Sequence, residues 1–394
     1  MDEGGLGTVR IVIAIDKFKG SLPADAVAGH LAAGIMGADP SLSVDVVPVA
    51  DGGEGTVDAA VHAGFDRRSV TVEGPTGEPV HAALAVRGTD AVIELAAASG
   101  LDLLPGGVPA PLVASSYGTG QLVLAALDLG CTHVVLGVGG SASTDGGAGL
   151  LAALGARLLD TDGRDLPRGG AALAALYTIR TDTLDPRVAA TRFTLASDVD
   201  NPLLGAHGAA AVYGPQKGAD ALGVTVLEGA LARFVEVVAS VAGPAAAAAA
   251  RLPGAGAAGG VGFAALALLG AVRAPGVDLV LEVTGLDRTL EGAGLVITGE
   301  GSLDAQSLGG KTPIGVALAA RRAGVPVVAV CGVTSLDAHQ LLDAGFARTY
   351  PLSDLEPDAA TSITQASGLL ERIGRVIADD LPTLTTTTTT EEQP

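Results

Sequence analysis

Apolar residues run along this chain in two rhythms. Short runs such as VRIVIAI (9–15), SVDVVPVA (43–50), HVVLGV (133–138), LVITGEG (295–301) and PVVAVCG (326–332) are nearly continuous rather than alternating. That is the pattern of strands covered on both faces. Between them lie longer stretches of small apolar residues at helical spacing, among them ADAVAGHLAAGI (24–35), GTGQLVLAALDLG (118–130) and PIGVALAARRAG (313–324). Strand then helix, repeated, predicts parallel βαβ units. Ser21 stands where it can cap the first helix, with Pro23 close behind.

The rhythm changes in the middle. Residues 66–90 form short strand-like pieces split by Gly-Pro turns, and a loop with Pro105, Pro109 and Pro111 follows. FTLASDVDNPLLG (193–205) reads as a strand ending in acids, and the alanine run 245–250 as helix or link. From 277 the βαβ pattern returns. The expected class is α/β: a discontinuous Rossmann-like parallel-sheet domain (8–65 and 277–380) with an inserted second α/β domain (66–276). An active-site cleft is expected between them, where strand carboxyl ends meet the partner domain. The biased segment LPTLTTTTTTEEQP (381–394) is expected to be a disordered tail.

Composition adds limits. At 394 residues, two domains are the prior. Hydrophobic residues make up 48% and aromatics only 3%, with no Trp, so the core must be closely packed Ala, Val, Leu and Ile. The net charge of −20 argues against nucleic acid and anionic membrane as partners. It leaves phosphorylated ligands open, because metal ions can mediate. The stretch 254–272 is the most apolar long one, but it is rich in Gly and Ala and closely flanked by Arg251 and Arg273. It reads as a buried helix with a glycine-rich start rather than a membrane span. The acidic N-terminus carries no apolar signal region, so a cytoplasmic protein is expected. Cys131 and Cys331 each lie in or beside an apolar run and read as core thiols.

The segment GVGGSASTDGG (137–147) follows a strand and precedes a helix. Such a glycine loop can approach a phosphate closely. Asp145 in it would repel that phosphate unless a cation lies near both or the carboxylate faces a substrate hydroxyl. GVGGSA also fits the dinucleotide fingerprint, with Asp160 or Asp162 about 20 residues on. Against that, the loop runs on through Ser143 and Thr144 before its helix. GGKTP (309–313) misses the phosphate-loop pattern, since Ala305 stands where a glycine is required, yet Lys311 can still hold a phosphate.

Acids recur at strand ends beside small or cationic residues: Asp16 before Lys17 and Lys19, Asp51 and Glu54 around Gly52 and Gly53, Asp198 with Asn201, and Glu300 before Lys311. Singly, each reads as a helix cap. Together, at the converging ends of parallel strands, they suit phosphoryl transfer from a metal nucleotide. The six histidines are scattered without ligand spacing, and no GxSxG elbow suggests a serine hydrolase.

The motifs AIDKFKGSL, VPVADGGEGT, SSYGTGQL, GVGGSASTDGGAG, ASDVDNPLLG, YGPQKGA, PGAGAAGGVG and VITGEGSLDAQSLGGKTPIGVA, in this order, resemble the type I glycerate kinases of bacteria. The resemblance spans roughly residues 8–380. Ile15 and Lys17 depart from the family's usual Pro and Ser in the first motif. The resemblance implies ATP- and Mg2+-dependent phosphorylation of D-glycerate, giving 2-phosphoglycerate, in a monomer or homodimer. On the residues and the resemblance together, Asp16, Lys19 and Asp198 are the expected catalytic residues, with Asp198 as the base. Asp51, Gly52, Gly53, Glu54, Gly139, Gly140, Ser141, Asp145, Gly146, Gly147, Asn201, Lys217 and Lys311 are expected at substrate or phosphate, and Glu300 with Asp198 at the metal. The competing readings are a kinase of another small sugar acid and a Rossmann-type NAD-dependent oxidoreductase.

Overall fold

The computed structural model describes residues 9–386. The strands are β1 (Arg10–Ile13), β2 (Ser43–Val46), β3 (Asp66–Glu73), β4 (Pro79–Arg87), β5 (Asp90–Glu94), β6 (His133–Gly137) and β7 (Arg157–Leu159). They continue with β8 (Thr178–Arg180), β9 (Arg192–Ala196), β10 (Val272–Ala274), β11 (Leu295–Leu303), β12 (Val327–Thr334) and β13 (Arg348–Pro351). Two compact units result. One joins the residues up to Asp51 to those from Val277 onward; the other is the continuous run Gly52–Gly276.

The first unit carries a five-stranded sheet in the order β13-β12-β11-β1-β2, parallel throughout. The interior strand β1, between β11 and β2, explains the continuous apolar run. Ile11 and Ile13 pack on one face with Leu31 and Ile35 of the helix Ala24–Ala38 and with Leu370 and Ile373 of the helix Ala366–Thr386. Val12 and Ala14 pack on the other face with Val316, Ala319 and Ala320 of the helix Thr312–Arg322. Alternation along the strand is thus apolar to apolar, as a doubly covered sheet requires. The helices Ala24–Ala38 and Ala366–Thr386 cross where Gly34 faces the Glu371 carbonyl and Gly374 faces the Leu31 carbonyl, with no room for a Cβ at either glycine.

The second unit has a six-stranded sheet in the order β10-β9-β6-β5-β4-β3, with a separate β7-β8 pair. The four strands β10, β9, β6 and β5 are parallel, whereas β4 and β3 form an antiparallel edge. In its main hydrophobic cluster Phe234, on the 22-residue helix Ala221–Ala242, meets Phe263 edge to face. Cys131 and Cys331 are buried free thiols, one in each unit's core. Among the described residues no helix is long and apolar enough to cross a membrane.

Three expectations change. The first crossing between units falls at Asp51/Gly52 rather than at 65/66. The helix Thr56–His62 lies against the second sheet: the Val57 N–H donates to the β5 carboxylate of Glu94 (2.6 Å), and the Phe65 ring is covered by the Arg87 guanidinium. Ser21 does not cap the first helix; Pro23 occupies the cap position, and the Ser21 hydroxyl donates to the Ile363 carbonyl. The expected disordered tail begins too early, because Ala366–Thr386 is helical. Leu381 and Leu384, one turn apart, are buried in the first unit's core and hold that end down. Residues 387–394 of the expected tail lie outside the described residues.

Candidate active site

In the first unit, β1 leads on to β2 at one side, while β11, β12 and β13 lie on the other. The order therefore reverses between β1 and β11, the topological switch point where open α/β sheets bind ligands. Asp16 follows β1 at that point, and its N–H extends the ladder to the Gly299 carbonyl of β11 (3.0 Å). Glu300 stands one residue further along β11.

The carboxylates there are coupled. Burial, then the charge of Asp51, pushes the Asp16 carboxyl up to about 6, although the Lys17 N–H (2.7 Å) and the Thr312 hydroxyl (3.0 Å) both donate to it. Glu300 is also raised, first by burial, with Asp304 and Asp51 adding and Ser307 and Lys311 opposing. Its Oε1 is buried with no hydrogen-bond partner. Lys311 is the N-cap of the helix Thr312–Arg322, so that helix begins beside this acid group. Asp16, Asp51, Glu300 and Lys311 are therefore one electrostatic cluster. Lys19, three residues beyond Asp16, is an exposed member of the turn closed by the Phe18–Leu22 bridge.

In the second unit, Glu94, Gly137, Ala196 and Ala274 lie in register across the carboxyl ends of β5, β6, β9 and β10. Two glycine loops stack there. A Cβ on Gly139 would come within 2.8 Å of the Gly53 Cα, and Gly137 faces the Gly52 carbonyl with no room for a side chain. Gly52 and Gly53 thus pack on the loop after β6, while Glu54 is exposed. Asp198 leaves β9 at the same edge, and its Oδ1 accepts from the Gly276 N–H (2.8 Å). Arg273 holds the Ser197 carbonyl (3.0 Å) and pairs with Asp200 (2.8 Å).

The glycine loop itself is only partly a rim. Gly140 is exposed and Gly139 half-buried, but everything from Ser141 to Leu150 is buried. Asp145 is 0% exposed, and its two oxygens accept from five donors: the Ser115 hydroxyl, the Ser116 hydroxyl and N–H, and the N–H groups of Gly147 and Gly149. It anchors the loop instead of facing a ligand, which removes the conflict between carboxylate and phosphate. Gly146 and Gly147 pack against Phe234 and Ala264, and the Gly146 N–H donates to the Gly259 carbonyl (2.9 Å). Their positive φ values serve that packing, not a phosphate cradle.

Lys217 and Asn201 are likewise internal supports. Lys217 is 2% exposed, and its Nζ donates to the Ser141 hydroxyl (2.7 Å) and the Ser143 carbonyl (2.6 Å). Burial draws its ammonium down to about 7, with Asp145 opposing. The Asn201 amide donates to the His207 carbonyl (2.8 Å) and accepts from the Tyr213 hydroxyl (2.6 Å), which closes the turn after Asp200.

The dinucleotide reading loses its acid. Asp160 accepts from the N–H groups of Asp162 and Arg164 in an exposed turn after β7, outside the six-stranded sheet. Sequence reasoning passed over Glu94, Thr312 and Ser116. Glu94 ends the apolar run AVIE, the same signal that marked the other acids. Burial, then nearby Asp58 and Glu54, raises it against the N–H bonds that hold it. Thr312 and Ser116 carry no local signal, because their partners Asp16 and Asp145 are 296 and 29 residues away. Among the described residues no group of three or more His, Cys, Asp or Glu could hold a metal ion.

The comparisons with known proteins agree on a family. The glycerate kinase family model matches residues 11–381. A glycerate kinase of Halalkalibacterium halodurans is 43% identical over 93% of this chain and 97% of its own. A glycerate 2-kinase of Escherichia coli is 40% identical over 95% of each chain. A solved structure named as a glycerate kinase 2 from Salmonella typhimurium superposes with a TM-score of 0.81 at 40% identity, over 95% of this chain and 99% of that one. The chain belongs to the glycerate kinase family, enzymes that transfer a phosphoryl group to an alcohol.

Proposed function

We propose that this chain phosphorylates D-glycerate from ATP with Mg2+, forming 2-phosphoglycerate. The observation that carries the reading is the cluster of Asp16, Glu300 and Lys311 at the switch point of the first sheet, in a chain of this family. Magnesium in nucleotide enzymes is commonly held by one or two carboxylates plus phosphate oxygens, so a three-ligand protein cage is not required. The buried, unpartnered Glu300 Oε1 fits that need. The ion, when bound, neutralises phosphate oxygens. Lys311 at its helix start adds a point charge suited to the same phosphates.

An alcohol must lose its proton as it attacks phosphorus. Asp198 is the base expected from the sequence. The structure favours Asp16 for this role, since a carboxyl held at about 6 is better matched to take a proton near neutrality and already has Thr312 and Lys17 to orient it. Asp198, oriented by the Gly276 N–H, is proposed to position the substrate, and Lys19 to bind negative charge. Incubation with ATP, Mg2+ and a panel of sugar acids, with ADP followed and the product assigned by phosphorus NMR, tests the substrate and the hydroxyl together. A 3-phospho product, or turnover confined to another sugar acid, would refute the assignment made here.

A further inference from the structure

We infer that Lys217, though buried, is a positioning residue that commits the Ser141 hydroxyl to donate to an anionic oxygen, a carboxylate or phosphate, at the Gly139–Gly140 rim. This deepens the kinase reading and rests on it for the identity of the ligands. An ammonium has three donors and no acceptor. When Lys217 Nζ donates to Ser141 Oγ at 2.7 Å, a lone pair of that oxygen is taken and its own hydrogen must point elsewhere. Among the described residues Ser141 Oγ makes no second hydrogen bond. The second Nζ bond, to the Ser143 carbonyl at 2.6 Å, fixes the ammonium relative to the loop.

Two further features aim that hydroxyl. Ser141 is 6% exposed and follows directly on exposed Gly140, so it sits at the inner edge of the loop's only accessible part. The loop there is pinned on its other side, where the Leu101 N–H donates to the Gly140 carbonyl (3.0 Å) and the Ala142 N–H to the Ser99 carbonyl (2.8 Å). The Asp145 carboxylate near Lys217 favours the charged amine despite burial. A hydroxyl already holding an ammonium is a polarised donor, and its complement is a negatively charged acceptor.

The test uses the full-length protein, below about pH 7, where the ammonium form of Lys217 is favoured. Wild type, Ser141→Ala and Ser141→Thr are titrated calorimetrically with sodium D-glycerate and, separately, with inorganic phosphate. Loss of about ten-fold or more in affinity for one probe in Ser141→Ala is expected, with the other within two-fold and Ser141→Thr largely restored. Which probe is affected separates a carboxylate from a phosphate source. Lys217→Met should weaken the same probe, and the double variant should be no weaker than the single ones, as for two groups acting as a unit. If Lys217→Met does not fold, the Ser141 pair still decides. Unchanged binding of both probes in Ser141→Ala overturns the inference, as does equal weakening of both or a wild type that binds neither. Failure of the glycerate kinase reading shows separately, as absent turnover with D-glycerate despite probe binding.

Discussion

Two carboxylates mark the extremes of what the same side chain does in this molecule. Asp145 is buried and fully used by five donors. Removing it strands those donors and the Lys217 charge. Asp145→Ala is expected to cost about 3 kcal/mol or more, seen as a fall of the urea midpoint with unchanged slope. Asp16 is half-buried, with its carboxyl raised from the usual 3.8 to about 6. Between those values the folded state binds more protons than the unfolded one, so stability falls as pH rises through that window and stays lowered above it. The shift corresponds to roughly 3 kcal/mol at most. Asp16→Asn should therefore be more stable than wild type at neutral pH and lose that slope, as read by thermal melts across pH 4–8. The same variant should lower kcat by about 10²–10⁴ and abolish the rise in rate through about pH 6. A larger kcat loss in Asp198→Asn than in Asp16→Asn would move the base to Asp198.

At the scale of elements, glycine decides how closely things approach. Gly34 and Gly374 let the helices Ala24–Ala38 and Ala366–Thr386 touch backbone to backbone. Gly374→Val should force them apart and cost about 2–4 kcal/mol by overpacking and strain, measured by chemical denaturation. Gly139, by contrast, rests on Gly53 at the accessible rim of the second unit. Gly139→Val should displace the Gly53 backbone and so lower the melting temperature, and should also raise the KM for a ligand of that rim; a Tm loss with unchanged KM would make the contact purely structural. The strands were readable because their periodicity is local: the runs at 133–138 and 295–301 contain β6 and most of β11. The role of each glycine was not, since a phosphate loop and a packing loop share the same composition. Only the contacts of Gly146 and Gly147 with Phe234 and Ala264 tell them apart.

On the scale of the whole molecule, the second unit is a continuous segment whose two ends meet. A Cβ on Gly52 would come within 2.8 Å of the Gly276 Cα. Ends that close let a domain be inserted into a loop with little distortion. A chain of residues 52–276 alone, with its own extensive core, is expected to fold and melt cooperatively by circular dichroism. A featureless melt would show that it depends on the first unit. By itself the sequence determined the α/β class, the doubly covered strands and the acids that end them, because continuous apolar runs, the 3.6 period between them and the charge that breaks them are properties of neighbouring residues. The tertiary structure alone decided which acids stay accessible at the strand ends and which are internal ties. Asp16 and Asp145 look alike as letters, but their protonation and bonding depend on Asp51, Thr312, Ser116 and Lys217, which the chain brings back from tens to hundreds of residues away.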